Sequence, residues 1–199
     1  MLFISEKSYH LVIAALAILK AGGAFLFIDY EFPKDRIQYM ISEVNAKIVL
    51  EYLPSKNENK IFDDNFVYEY NLNDHNYDEN IFDIPNVNCS DDICCVFFTS
   101  GTTGNPKGIL LNHDNVINCT FYSFTRKGKE NLFEWPANIL AFTKVTFIIY
   151  LVEIFLSLIN QMTIILCNEK EYNNPILLAD LITKYKIESA GLTNTRIKY

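Results

Sequence analysis

"LVIAALAILKAGGAFLFID", Leu11 to Asp29, decides the fold class. Apolar residues recur at helical spacing up to Lys20, and Gly22-Gly23 follow where a helix end needs a residue free to adopt positive φ. Ala24 to Ile28 is then a short, wholly apolar run, the kind that fills a parallel sheet buried on both faces. The reading is a helix over Ser8 to Lys20 and a strand over Ala24 to Ile28. Pro33 suits the first turn of a second helix running to about Val44, and "AKIVLEY" gives another strand.

The alternation resumes after an interruption. Leu53 to Ser90 is dominated by Asn, Asp and Lys, with only "NFVYEY" strand-like, and reads as a surface excursion whose acidity belongs to a solvated face. "DICCVFF" is a strand, followed by a glycine-rich loop and a helix from about Asp114 to Phe124. Lys127 to Pro136 reads as loop, "NILAF" as strand, Ile148 to Ile159 as helix and "MTIILC" as strand. Asn174 caps a helix with Pro175 at its first position and an end near Tyr185, and "IESAGL" is a last strand. Strands alternating with helices predict an α/β lobe layered around a parallel sheet. The chain stops at Tyr199 directly after a strand, an ending expected of an incomplete unit.

Composition removes several function classes. The 199 residues are half hydrophobic, ample for a core, and the net charge of −7 argues against a partner whose affinity rests on clustered Lys and Arg. Nucleic acid is therefore not expected. The five cysteines, Cys89, Cys94, Cys95, Cys119 and Cys167, are odd in number and lack C-x-x-C spacing, so no disulfide framework or metal site is expected. Cys94 and Cys95 lie in an apolar run and read as reduced core residues.

Two segments imitate membrane signals. "LVIAALAIL" before "AGGA" resembles a signal-peptide core, but Glu6 spoils a basic leader, Lys20 interrupts the run and a strand follows at once. A cytoplasmic location is expected, which removes weight from the glycosylation-like tripeptides at Asn88 and Asn118. "VTFIIYLVEIFLSLI", Val145 to Ile159, is too short to span a bilayer and carries Glu153 at its middle. It reads as a buried helix, with no membrane partner.

The loop "FFTSGTTGNPKG", Phe97 to Gly108, carries the chemistry. Thr99, Ser100, Thr102 and Thr103 offer hydroxyls, Lys107 a point charge, and Gly101, Gly104 and Gly108 allow close approach. Placed between a strand and a helix, its N–H groups would converge on an anion. It is not a Walker A loop: Pro106 stands where the glycine before lysine belongs, and Gly108 where the magnesium-binding hydroxyl belongs.

"TSGTTGNPKG" resembles the signature loop of the adenylate-forming enzymes, which include nonribosomal peptide synthetase adenylation domains, acyl-CoA synthetases and luciferases. "AILKAGGAFLFIDYEFPKDRIQYMI" resembles the second core motif of the peptide-synthetase branch, close to LKAGxAYVPID. "FIIYLVEIF" falls where that branch carries FDxSxxEIF, and "GLTNT" where it often has a proline-containing turn. The resemblance runs from about Met1 to the end, with core motifs at 17–29, 97–108 and 147–155 and the surface excursion at about 53–90. It implies that residues 1–199 are part of the large N-terminal lobe of an adenylation domain.

The resemblance further implies a reaction. A carboxylate attacks the α-phosphate of ATP with Mg²⁺ bound, giving an acyl-adenylate and pyrophosphate, and the acyl group passes to the phosphopantetheine thiol of a carrier domain. Thr99, Ser100, Gly101, Thr102, Thr103, Gly104 and Lys107 inherit the role of holding the β- and γ-phosphates. Ile148, Ile149, Val152 and Gly191 fall at substrate-pocket positions. The family's catalytic lysine, its magnesium- and adenine-binding motifs and its ribose-binding aspartate have no counterpart here, so the rest of the adenylation domain is an implied partner.

One departure bears on substrate. The branch that activates amino acids pairs an aspartate with the α-ammonium group, and Ile148 occupies that position. A buried ammonium without a carboxylate is costly, so a hydroxy, aryl or fatty acid is the expected substrate class; Glu153 matches the family's structural glutamate. Besides the fragment of an adenylating enzyme, the sequence allows a non-catalytic remnant that keeps a phosphate loop, and an acyl-CoA ligase of the same superfamily.

Overall fold

The computed structural model describes residues 1–5, 7–29, 31–52, 68–76, 83–101, 106–122 and 136–191. The chain divides into two compact units, residues 1–113 and 114–199.

In the first unit, β1 (Leu2–Ser5), β2 (Phe25–Ile28), β3 (Ile48–Tyr52), β4 (Tyr68–Asn71), β5 (Ile93–Thr99) and β6 (Lys107–Asn112) form one sheet in the order β4-β3-β1-β2-β5-β6. The first four pairings are parallel. All four residues of β2 are buried, as an apolar run in the middle of a parallel sheet must be. Leu26 and Ile28 pack with Val49 and Val96 against Ile37, Met40 and Ile41 of α2 (Lys34–Val44). Each such side chain contributes about 1.5–3 kcal/mol of transfer free energy. Pro33 sits one residue ahead of α2, at its cap.

The helix α1 (Tyr9–Lys20) buries Leu11, Ala14, Ala15 and Ile18, one face at helical spacing, and packs against β1, β2 and β3. Its end follows from the glycines: Gly22 takes φ +77, and the N–H groups of Gly22 and Gly23 donate to the carbonyls of Leu19 and Ile18. A Cβ at Gly22 would also lie 2.7 Å from Val87 Cγ2. Gly22→Ala is therefore expected to lower stability by about 1–2 kcal/mol, read as a reduced urea midpoint.

The acidic excursion lies partly outside the described residues, at 53–67 and 77–82. Its described part supplies the edge strand β4, and residues 83–87 are exposed. Lys20 pairs with Asp83 at 3.3 Å, and Asn88 Nδ2 donates to the Leu19 carbonyl, holding this stretch to the end of α1. On the β3–β4 pair, Glu51 and Glu69 share one face by register. Partial burial, then Glu69, then Asp74, push the Glu51 carboxyl up. A raised folded pKa means that the charged form costs stability, a cost present above that pKa and gone below the ordinary carboxylate range. Glu51→Gln should raise the urea midpoint at neutral pH, with the gain vanishing below about pH 4.

The structure corrects the sequence reading at the glycine loop. The segment after it is a strand, β6, paired antiparallel to β5 with Thr99 opposite Lys107 and Phe97 opposite Ile109. The loop therefore joins two strands of a hairpin rather than a strand and a helix. "GILL" lacks the length to announce a strand, and its pairing with β5 satisfies backbone groups that a loop would leave to water. The following α3 (His113–Ile117) is one turn and a half, and Asn118–Tyr122 continues it as a π-helical turn.

In the second unit, β7 (Asn138–Ala141), β8 (Thr163–Leu166) and β9 (Ser189–Ala190) form a parallel sheet in the order β8-β7-β9. The connection from β7 to β8 contains α4 (Ile148–Ile159), with the bounds the sequence predicts. Between β8 and β9 lie α5 (Glu169–Asn173) and α6 (Pro175–Lys184). Asn174 accepts from the N–H groups of Ile176 and Leu177 with Pro175 at the first position, as expected. The core gathers Leu140, Phe142, Ile165, Cys167 and Leu181. The loop expected at Lys127 to Pro136 lies outside the described residues save for Pro136. Among the described residues no helix is long and apolar enough to cross a membrane.

Candidate functional site

The glycine-rich loop begins and ends on a ladder. Thr99 is the last residue of β5 and Lys107 the first of β6; they are register partners, and Thr99 Oγ1 donates to the Lys107 carbonyl at 3.4 Å. Strand pairing thus fixes the two ends of the loop against each other, independently of what lies between. Thr99, Ser100 and Lys107 are exposed, and Gly101 is half-exposed. Thr102, Thr103 and Gly104 lie outside the described residues. Beneath the neck, Gly108 faces Phe98 and Val96, with a Cβ position 3.5 Å from the Phe98 ring. The arrangement presents hydroxyls and one cation to solvent from a rigid stem, a chemistry suited to an anion.

The second set of expected site residues belongs to the 114–199 unit. Ile148 and Ile149 open α4 and are 44% and 45% exposed, so the helix is not buried throughout, as the sequence suggested. Val152 is half-buried, and its spacing of four and three residues puts it on the side of both isoleucines. Gly191 follows β9, and a Cβ there would lie 3.9 Å from Ile149 Cγ2 and 3.0 Å from Glu153 Oε1. The structure thus brings Ile149 and Gly191 together. A side chain at position 191 would press on a buried carboxylate, which explains why glycine serves there.

Glu153 is 4% exposed, and its carboxylate ties α4 to the segment leaving β7. Oε1 accepts from Thr143 Oγ1 at 2.7 Å, and Oε2 from the Thr143 N–H at 3.2 Å. Ser157 Oγ donates back to the Glu153 carbonyl one turn on. Next to it the Tyr150 hydroxyl is pushed up by burial and then by the Glu153 charge, so it stays protonated. These contacts support a structural role for Glu153. Sequence reasoning missed Thr143: the partners are ten residues apart on different elements, and only the fold joins them.

A sequence model of the family described as AMP-binding enzyme matches residues 1–198. Gramicidin S synthase 2 of Brevibacillus brevis is 33% identical over 194 residues, which are 98% of this chain and 4% of that protein. The fold is similar to that of the nonribosomal peptide synthetase FmoA3, solved with alpha-methyl-L-serine-AMP bound, at a TM-score of 0.78 and 21% identity. That likeness covers 94% of this chain and 20% of the other. It is similar also to o-succinylbenzoate CoA synthetase (MenE) from Bacillus subtilis in complex with the acyl-adenylate intermediate OSB-AMP. There the TM-score is 0.80 at 16% identity, over 99% of this chain and 50% of the synthetase. The chain therefore spans a small part of the synthase and half of the CoA synthetase. At these identities the two structures speak to fold alone.

Proposed function

The chain belongs to the AMP-binding enzyme family, and on that premise we propose that it serves ATP-dependent activation of a carboxylic acid. The enzyme would resemble a nonribosomal peptide synthetase, in which residues 1–199 form part of an adenylation domain working in the cytoplasm. The observation that carries the reading is the hairpin closed at Thr99 and Lys107, in a chain the family matches over 1–198.

In this reading Lys107 and the hydroxyls of Thr99 and Ser100, with Gly101, Thr102, Thr103 and Gly104 of the same string, bind the β- and γ-phosphates of ATP; the pairing of Thr99 with Lys107 at the ends of the string supports it. A carboxylate oxygen of the substrate attacks the α-phosphorus, the bond to the bridging oxygen breaks, and pyrophosphate leaves. The loop's part is positioning and neutralisation of the departing charge. Mg²⁺ would arrive on the nucleotide phosphates, the oxygen ligands that it prefers. The acyl group then passes to the phosphopantetheine thiol of a carrier domain.

The apolar positions Ile148, Ile149 and Val152, with Gly191, favour a hydroxy, aryl or fatty acid. An acid labelled with ¹⁸O in its carboxylate tests the chemistry. Acyl transfer to a thiol should leave one labelled oxygen on AMP; unlabelled AMP accompanying thioester formation would exclude attack by the carboxylate on the α-phosphorus.

A further inference from the structure

Neighbouring side chains on a regular strand point to opposite faces, so two adjacent cysteines should hold their sulfurs well apart. Cys94 and Cys95 do not: their Sγ atoms are 3.7 Å apart. The ladder shows why. Ile93 pairs with Asn112 and Cys95 with Leu111, leaving Cys94 as an extra residue in β5. A bulge of this kind bends its strand and re-aims a side chain. The two residues are 2% and 0% exposed, neither is in a disulfide, and neither belongs to the loop or pocket described above.

We infer that Cys94 and Cys95 form a vicinal dithiol site for a thiophilic trivalent centre, of the class of monosubstituted trivalent arsenicals, which bridges both sulfurs. In the reaction with an arsenoxide, two S–H bonds and the arsenic–oxygen bond give way to two S–As bonds, and the oxygen leaves with both protons as water. No electrons change hands, so no oxidant is needed. Soft thiolates select soft partners, and one bridging atom requires less closure of the two sulfurs than a direct bond between them.

The route in is the sheet edge. Among the described residues β6 is the terminal strand of its sheet, and Cys94 Sγ donates to the Leu111 carbonyl on it at 3.3 Å. Edge elements open at a lower cost than the whole fold, and release of Leu111 uncovers Cys94. Once Cys94 loses its proton, the neighbouring thiol of Cys95 donates to it and favours the thiolate, which is the reactive form. Cys95 itself is pushed up by that hydrogen bond, by burial and by the adjacent charge, so the sulfurs react in sequence.

The test is intact-mass analysis of the full 199-residue chain under native conditions with one equivalent of phenylarsine oxide. The expected result is one adduct per chain, mapped by fragmentation to Cys94 and Cys95, retained against glutathione and removed by 2,3-dimercaptopropanol. A chelate should survive about 100-fold longer in glutathione than attachment at one sulfur, so C94S and C95S should each lose that retention, while the triple variant C89S/C119S/C167S keeps it. Mapping on the unmutated chain holds whether or not a variant folds. An adduct mapped to Cys89, Cys119 or Cys167 overturns the inference. So does a native chain that takes up no arsenical while the urea-unfolded chain takes one.

Discussion

Lys107→Ala is expected to lower the proposed carboxylate-dependent exchange of pyrophosphate into ATP by at least about 100-fold, the usual cost of removing one charge-stabilising group. The measurement is made on the longest polypeptide that the transcript encodes. Lys107 is exposed at the first position of β6 and fixed opposite Thr99. Its removal should therefore leave stability within about 0.5 kcal/mol of the parent, as for surface residues generally. A large loss of exchange with an unchanged urea midpoint separates phosphate contact from folding. Lys107→Arg, which keeps the charge but changes its geometry, should retain an intermediate rate. Exchange that is indifferent to Lys107→Ala would remove the loop from the chemistry.

Glu153→Ala is expected to destabilise the protein by about 3 kcal/mol. Two contributions add: the Thr143 N–H and hydroxyl lose their acceptor in a buried place, at about 1–3 kcal/mol for a stranded group, and a cavity opens beside α4. Glu153→Gln preserves the volume and one acceptor oxygen but turns an NH₂ toward a donor, so it should fall between the two. Urea unfolding followed by far-ultraviolet circular dichroism gives the order. A loss below about 1 kcal/mol for Glu153→Ala would mean that water or a rearranged Thr143 replaces the carboxylate.

Much of the fold was readable where local signals agree with burial. The helix–glycine–strand unit of α1 and β2 announced itself because periodicity, helix end and strand composition all change at Gly22-Gly23. The bounds of α4 followed from an unbroken apolar stretch closed by Asn160-Gln161. β6 was missed because its identity lies in pairing with β5, and pairing is not a local property. α5 had a local signal that went unread: Asn168 and Glu171 form a capping box, each accepting from the other's backbone N–H.

The same division holds at the candidate site. The string Thr99 to Lys107 could be read residue by residue, but the register that sets Thr99 against Lys107 could not. Cys94 and Cys95 could be read as buried; their contact depends on a bulge that only the ladder reveals. Thr143 and Glu153 needed β7 and α4 to be packed before either could be seen as the other's partner.

ATP–pyrophosphate exchange measured with the longest encoded polypeptide, folded, against amino, hydroxy, aryl and fatty acids tests the proposed activity most directly. The predicted result is exchange that depends on a hydroxy, aryl or fatty acid and is absent with ordinary α-amino acids, because Ile148 offers an ammonium group no partner. No exchange with any acid, or exchange with α-amino acids alone, would contradict it.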